Sequence, residues 1–288
     1  DGTKVPYFLV MRADAPRDGS TPTILYGYGG FEVSLTPGYS GGVGAAWLEK
    51  GYAYVQANIR GGGEYGPRWH QAALKENRNK AYEDLEAVAR DLIERGVTSP
   101  AKLGCQGGSN GGLLTGNMLA RASAGRKLFG AIVCQVPLLD MYRYHKLLAG
   151  ASWMGEYGDP DTDDWSFLQR YSPYHNLDEA TAYPPILFTT STRDDRVHPG
   201  HARKMVGKLL DMGKSGSSQR PGELRSGKKH KLSTPSPLQQ QTEEPTELGP
   251  VVGGDDGDRR VGTEEGQIHK CSNYVLQQKQ PTYYPRIH

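Results

Sequence analysis

Apolar positions over the first two hundred residues fall into short runs that alternate between strand and helix spacing. Residues 5–11 (Val-Pro-Tyr-Phe-Leu-Val-Met) form a compact apolar run that predicts an edge strand. Residues 22–26 predict a second strand, which runs into the turn Gly27-Tyr28-Gly29-Gly30. Ala45 to Lys50 suits a helix closed by Gly51 as a C-cap. Tyr52 to Ile59 reads as a strand broken by Arg60-Gly61-Gly62-Gly63. Leu85, Val88, Ala89 and Leu92 recur at i, i+3, i+4 and i+7, which places them on one helix face ahead of the stop at Gly96.

The alternation continues with a strand at Lys102 to Gln106 and a helix at Leu113 to Ala120. A buried strand at Phe129 to Val136, another at 185–190 and a helix at His201 to Met212 follow. Strands separated by helices imply a largely parallel sheet covered by helices on both faces. From Lys214 the pattern stops. Residues 214–288 are rich in Ser, Gly, Gln, Pro, Glu and Lys, with no apolar strand evident, and all five Phe and four Trp lie before residue 190. Such a segment buries too little apolar surface to offset a chain entropy of ~1–2 kcal/mol per residue. It is expected to be a low-complexity, disordered tail on a domain spanning 1–213.

Composition narrows the function classes. A net charge of +2 argues against a nucleic-acid surface, since affinity for a polyanion grows with the phosphates neutralised. Lys228, Lys229 and Lys231 form a small basic cluster that reads as a solvated segment. No apolar run approaches the roughly eighteen residues of a membrane helix, so no membrane partner is expected. Three cysteines without CxxC spacing suit a reducing compartment, and a cytoplasmic location is expected. Cys105 and Cys134 fall in strand-like runs, as small buried hydrophobes do. The chain opens without Met or a signal-peptide pattern, which reads as a fragment.

The chemistry centres on Gly107-Gly108-Ser109-Asn110-Gly111. A Gly-x-Ser-x-Gly run between a strand and a helix is the nucleophile elbow of a serine hydrolase. Gly107 and Gly111 remove side chains that would clash in so tight a turn, and Gly108 and Gly112 loosen it further. The Asn110 backbone N–H would then face the oxygen of an attacked carbonyl. A serine hydroxyl also needs a base, and that base needs an acid to orient it. The acid belongs after a downstream strand, where Ser191 to Arg196 offers Asp194 and Asp195. A charged surface turn is the other reading of that pair.

Four segments together carry a family likeness. Residues 25–31 (Leu-Tyr-Gly-Tyr-Gly-Gly-Phe), 57–66 (Ala-Asn-Ile-Arg-Gly-Gly-Gly-Glu-Tyr-Gly), 107–112 and 194–197 (Asp-Asp-Arg-Val) resemble the prolyl oligopeptidase family, its bacterial-style branch most. The likeness covers about residues 1–213. It implies an α/β-hydrolase fold and a serine endopeptidase that cleaves short peptides on the carboxyl side of proline through an acyl-enzyme. No cofactor or metal is implied. The resemblance makes Ser109 the nucleophile and Asp194 the triad acid, and it joins Tyr28 to the Asn110 N–H as oxyanion donors. It gives Arg196 a substrate carbonyl and Trp153 the substrate proline ring, with Phe31, Leu138 and Tyr157 around that pocket. Near Trp153 only Glu156 is acidic, where an Arg/Lys-specific relative would carry an acidic pair.

The likeness breaks where the family places its last strand and its triad histidine. After Gly213 neither is identifiable: His230 is flanked by Lys229 and Lys231, which disfavour protonation of its imidazole, and His269 and His288 match no better. Loss of that base costs on the order of a million-fold in turnover, about 8 kcal/mol of barrier. The expected domain is therefore incomplete, lacking the C-terminal strand and helix and the family's β-propeller. A shifted or unspliced reading of the gene would explain the break at 213–214, and sequencing the transcript across it tests that. Two further readings stay open, a catalytically inactive truncated family member and another serine hydrolase such as an esterase or acylaminoacyl-peptidase.

Overall fold

A computed structural model of the chain describes residues 1–214 and the backbone of 274–278. The described residues all belong to one compact unit, and residues 218–270 lie outside them. Lys228, Lys229 and Lys231 and the histidines at 230, 269 and 288 fall outside as well.

In chain order the described elements are β1 (Tyr7–Arg12), β2 (Thr23–Tyr26), α1 (Gly41–Ala46), β3 (Ala53–Ala57), α2 (Pro67–Gln71), α3 (Asn79–Glu94), β4 (Leu103–Gly108) and α4 (Asn110–Arg121). Then come β5 (Ala131–Gln135), α5 (Met154–Tyr157), α6 (Trp165–Leu168), β6 (Ile186–Thr189), α7 (Gly200–Asp211) and β7 (Tyr274–Gln278). The sheet runs β6-β5-β4-β2-β3-β1-β7. Its five central and left-hand strands are parallel, while β1 runs antiparallel to β3 and β7 antiparallel to β1. This is the α/β-hydrolase architecture, a mostly parallel sheet with helices between its strands in sequence.

Alternation along each strand decides which face is dry. Tyr7, Leu9 and Met11 are buried, as are Leu25, Ala53, Val55, Leu103 and Cys105. Helices α3 and α4 lie over this face: Leu85 and Leu114 both close around Gly27 at the end of β2. The apolar stripe of α3, Leu85, Val88, Ala89 and Leu92, is 2% exposed or less throughout. Leu85, Val88 and Leu92 each contribute about 1.5–3 kcal/mol by leaving water. At Gly96 the backbone takes φ 64°, and a side chain there would collide with the Arg17 carbonyl, so the chain must turn at a glycine. On the other face, Trp47 follows α1 and sits beside Ile24, Gly104 and Gln106, its indole donating to the Ala53 carbonyl at 2.7 Å.

Three expectations change. The run at 5–11 was expected at an edge, yet β1 is flanked by β3 and by β7. No strand was expected after Gly213, yet Tyr274–Gln278 pairs with β1 from Phe8↔Gln278 to Arg12↔Tyr274. The reason is local: Tyr-Val-Leu at 274–276 favours a pleated strand, and the polar residues around it mask that signal in any composition window. The helix read at 45–50 is also shorter and split, with α1 ending at Ala46 and a 3₁₀ turn at Leu48–Lys50 closed by Gly51 at φ 83°.

Candidate active site

Strand β4 ends in the elbow and α4 begins beyond it. Ser109 takes φ 58°, ψ −115°, a conformation that costs a residue with a side chain about 1–3 kcal/mol and must be held by its surroundings. The hold is visible. The Ser109 N–H donates to the Gln135 carbonyl of β5 at 2.9 Å, and its carbonyl accepts from Gly112 and Leu113 at 2.8 and 3.1 Å. A side chain on Gly107 would collide with the Gly111 carbonyl, one on Gly111 would lie 2.8 Å from the Gly27 oxygen, and one on Gly112 2.7 Å from Pro137. Gly108 differs from the expectation: its nearest neighbour would be 3.6 Å away, an ordinary contact. The tightness comes from three glycines, not four.

The Ser109 hydroxyl faces two other groups. Arg196 Nη1 donates to Oγ at 2.6 Å, and the Tyr28 hydroxyl is within hydrogen-bonding reach. Burial holds the Tyr28 phenol above its ordinary pKa, and its contact with Ser109 and the nearby Arg196 cation pull the other way. The phenol therefore keeps its proton at neutral pH and remains a donor, which is what an oxyanion hole requires. Asn110, which opens α4, puts its N–H at a helix N-terminus, where no intrahelical acceptor exists and the dipole favours negative charge.

Arg196 belongs to the turn after β6. There Asp194 Oδ1 accepts the backbone N–H groups of Arg196 and Val197 at 3.0 and 2.8 Å, so its carboxylate organises the turn, while Asp195 is exposed. The Arg196 bond to Ser109 brings this turn to the elbow, 87 residues away in sequence. Both lie at the carboxyl ends of parallel strands, the usual place for a site in such a sheet. No histidine among the described residues is hydrogen-bonded to Ser109. His70 pairs with Glu156, His145 with Asp161 and His175 with Ser172, and His201 accepts the N–H groups of Leu139 and Asp140.

The proposed proline pocket is layered. Of the four residues expected there, Phe31 and Trp153 are half-buried, whereas Leu138 and Tyr157 are 1% and 0% exposed and belong to the core. Phe31 meets Tyr157 edge to face with ring centres 5.5 Å apart. Phe31 sits at φ 55°, and its N–H donates to Glu156 Oε1 at 2.9 Å. Glu156 in turn accepts Arg78 Nη1 at 2.9 Å and meets His70 Nε2 at 2.8 Å. Sequence reading passed over Arg78. A cation at the N-terminal end of α3 opposes the helix dipole, and that mismatch was the one signal that it serves another purpose.

A model of the prolyl oligopeptidase family matches residues 40–242. The chain belongs to the prolyl oligopeptidase family. An uncharacterized peptidase of Sinorhizobium fredii, y4nA, is 57% identical over 215 residues, covering 74% of this chain and 29% of that protein. The prolyl endopeptidase of Elizabethkingia miricola is 42% identical over 212 residues, covering 73% and 29%. Among solved structures, a post-proline cleaving enzyme from Rickettsia typhi superposes with a TM-score of 0.70 at 43% identity, covering 73% of this chain and 30% of that one. The chain thus spans about three-tenths of the length of these relatives. The family match runs past residue 213, where the composition changes.

Proposed function

We propose that this domain is the catalytic part of a serine endopeptidase that cleaves short peptides on the carboxyl side of proline. The observation that carries the reading is the Ser109 hydroxyl, raised on a positive-φ elbow and flanked by the Tyr28 phenol and the Arg196 guanidinium. In the reaction Ser109 Oγ bonds to the carbonyl carbon of proline, its proton passes to a base and on to the leaving amine as the C–N bond breaks, and water then hydrolyses the ester to free Ser109. Tyr28 and the Asn110 N–H receive the oxyanion, where one such donor is typically worth ~3–4 kcal/mol. Phe31 and Trp153 are half-buried apolar rings, and family resemblance assigns them to a pyrrolidine ring, which has no N–H to satisfy. Glu156 is committed to Arg78, His70 and the Phe31 amide, so it offers no spare anion to a basic side chain.

A second reading has its own support. Among the described residues no base accepts from Ser109 Oγ, since Arg196 donates to it and Tyr28 keeps its proton, so this chain by itself reads as a family member without turnover. A fluorophosphonate probe decides between them. Labelling of Ser109 that Ser109→Ala abolishes supports the peptidase, and folded protein that stays unlabelled supports the silent form. Proline-containing fluorogenic peptides set against a simple ester test the substrate class; faster ester turnover would overturn cleavage after proline.

A further inference from the structure

Under the elbow lies a cation that the mechanism above does not use. Arg78 is 1% exposed, and its two Nη groups serve different partners. Nη1 donates to Glu156 Oε1 at 2.9 Å, and Nη2 donates to Asn110 Oδ1. Tyr157 adds its hydroxyl to the same Asn110 oxygen at 2.8 Å. The Asn110 amide nitrogen then donates to the Tyr28 carbonyl at 2.6 Å, while Glu156 Oε1 accepts the Phe31 N–H. Both ends of the segment Tyr28 to Phe31 are therefore tied to one guanidinium through one intermediary each. Gly30, between them, lies so close that a side chain would come within 2.5 Å of Asn110 Nδ2 and 2.7 Å of Arg78 Nη2.

We propose that Arg78 is a positioning residue of the active site, setting the oxyanion donor Tyr28 and the pocket wall Phe31 against the Ser109 elbow through Asn110 and Glu156. A counter-ion for Glu156 would need only one of its two forks. Here the second fork is spent on the side chain next to the nucleophile. Phe31 holds a left-handed backbone that persists only when its surroundings over-determine it, and the Glu156 carboxylate supplies that constraint. The inference rests on the reading of Ser109 as the nucleophile for its catalytic consequence, but not for its geometry.

The test uses the full chain with two variants, Arg78→Lys and the neutral pair Arg78→Met with Glu156→Gln. A neutral pair removes the buried charges together, so its thermal midpoint should stay within about 5 °C of the parent. If Arg78 positions the site, fluorophosphonate labelling of Ser109 should nevertheless fall roughly ten- to a hundredfold in both variants. Exchange of the Asn110 carboxamide protons, followed by NMR, should quicken by roughly tenfold. Parent-like labelling and exchange in the neutral pair would reduce Arg78 to a counter-ion and overturn the proposal. If that pair fails to fold, Arg78→Lys decides, since lysine keeps the charge but cannot bridge both partners. Should the parent itself remain unlabelled, the nucleophile reading fails, and the exchange measurement still decides whether Arg78 positions Asn110.

Discussion

At the scale of single residues, the elbow separates glycines by what they do. Gly107→Ala drives a methyl group into the Gly111 backbone, which has no free side chain to yield. The expected loss is about 3 kcal/mol or more. Gly108→Ala meets only Gln135, its Cβ and its carbonyl oxygen, at ordinary contact distance, and it should change stability by less than about 1 kcal/mol. Urea denaturation of the two variants side by side checks the contrast; equal losses would mean that the elbow relaxes as a unit. The spacing of the motif was plain in the sequence. The division of labour within it was not, because it depends on which backbone crosses each glycine, and Gly27, Gly111 and Pro137 arrive from three separate segments.

At the scale of elements, α7 follows the acid turn and is anchored by one histidine. His201 is 1% exposed, and its Nδ1 accepts the N–H groups of Leu139 and Asp140 at 3.3 and 3.2 Å. Burial, opposed by the Asp140 charge, pushes its pKa down to about 4. The neutral ring is thus favoured by the fold. That stability is fully present above the unfolded pKa of about 6.5 and is lost as pH falls from there through about 4. The amount at stake is on the order of 2–3 kcal/mol. Denaturant midpoints taken between pH 7 and 4.5 should fall further for the parent than for His201→Gln, whose side chain carries no titratable group. Most elements were legible from periodicity: the α3 stripe and the strands at β2, β4, β5 and β6 lie where the apolar runs put them. What escaped was β7, a short strand in polar surroundings whose pairing is non-local, and the Arg78–Glu156–Asn110 network, since Arg78 went unread, Glu156 was weighed only as an acid near Trp153, and Asn110 only for its backbone N–H. Position after a strand marked the Asp194–Asp195 pair, family likeness singled out Asp194 with Tyr28 and Arg196, and the Arg196 bond to Ser109 brings that turn to the elbow.

At the scale of the whole molecule, the described part of the sheet ends on one side at β6. Strand β6 pairs only with β5 among the described residues, and Leu187 on it is 58% exposed. An uncovered edge strand invites pairing with another chain. Light scattering should therefore show association that rises with protein concentration, and Leu187→Lys should reduce it while leaving the thermal midpoint within about 3 °C. Unchanged association in the variant would place the contact elsewhere. At the other end of the site, the loop carrying Tyr28 and the loop at 58–66 are fitted backbone to backbone. A side chain on Gly61 would strike the Gly29 carbonyl, and one on Gly63 would strike the Glu32 carbonyl. Neither loop has slack of its own, so they behave as one inherited part. A chimera that takes only one of them from a distant relative should lose its fold locally, and one that takes both should keep it. The unit on which variation can act here is the pair of loops, thirty-odd residues apart, and not either motif alone.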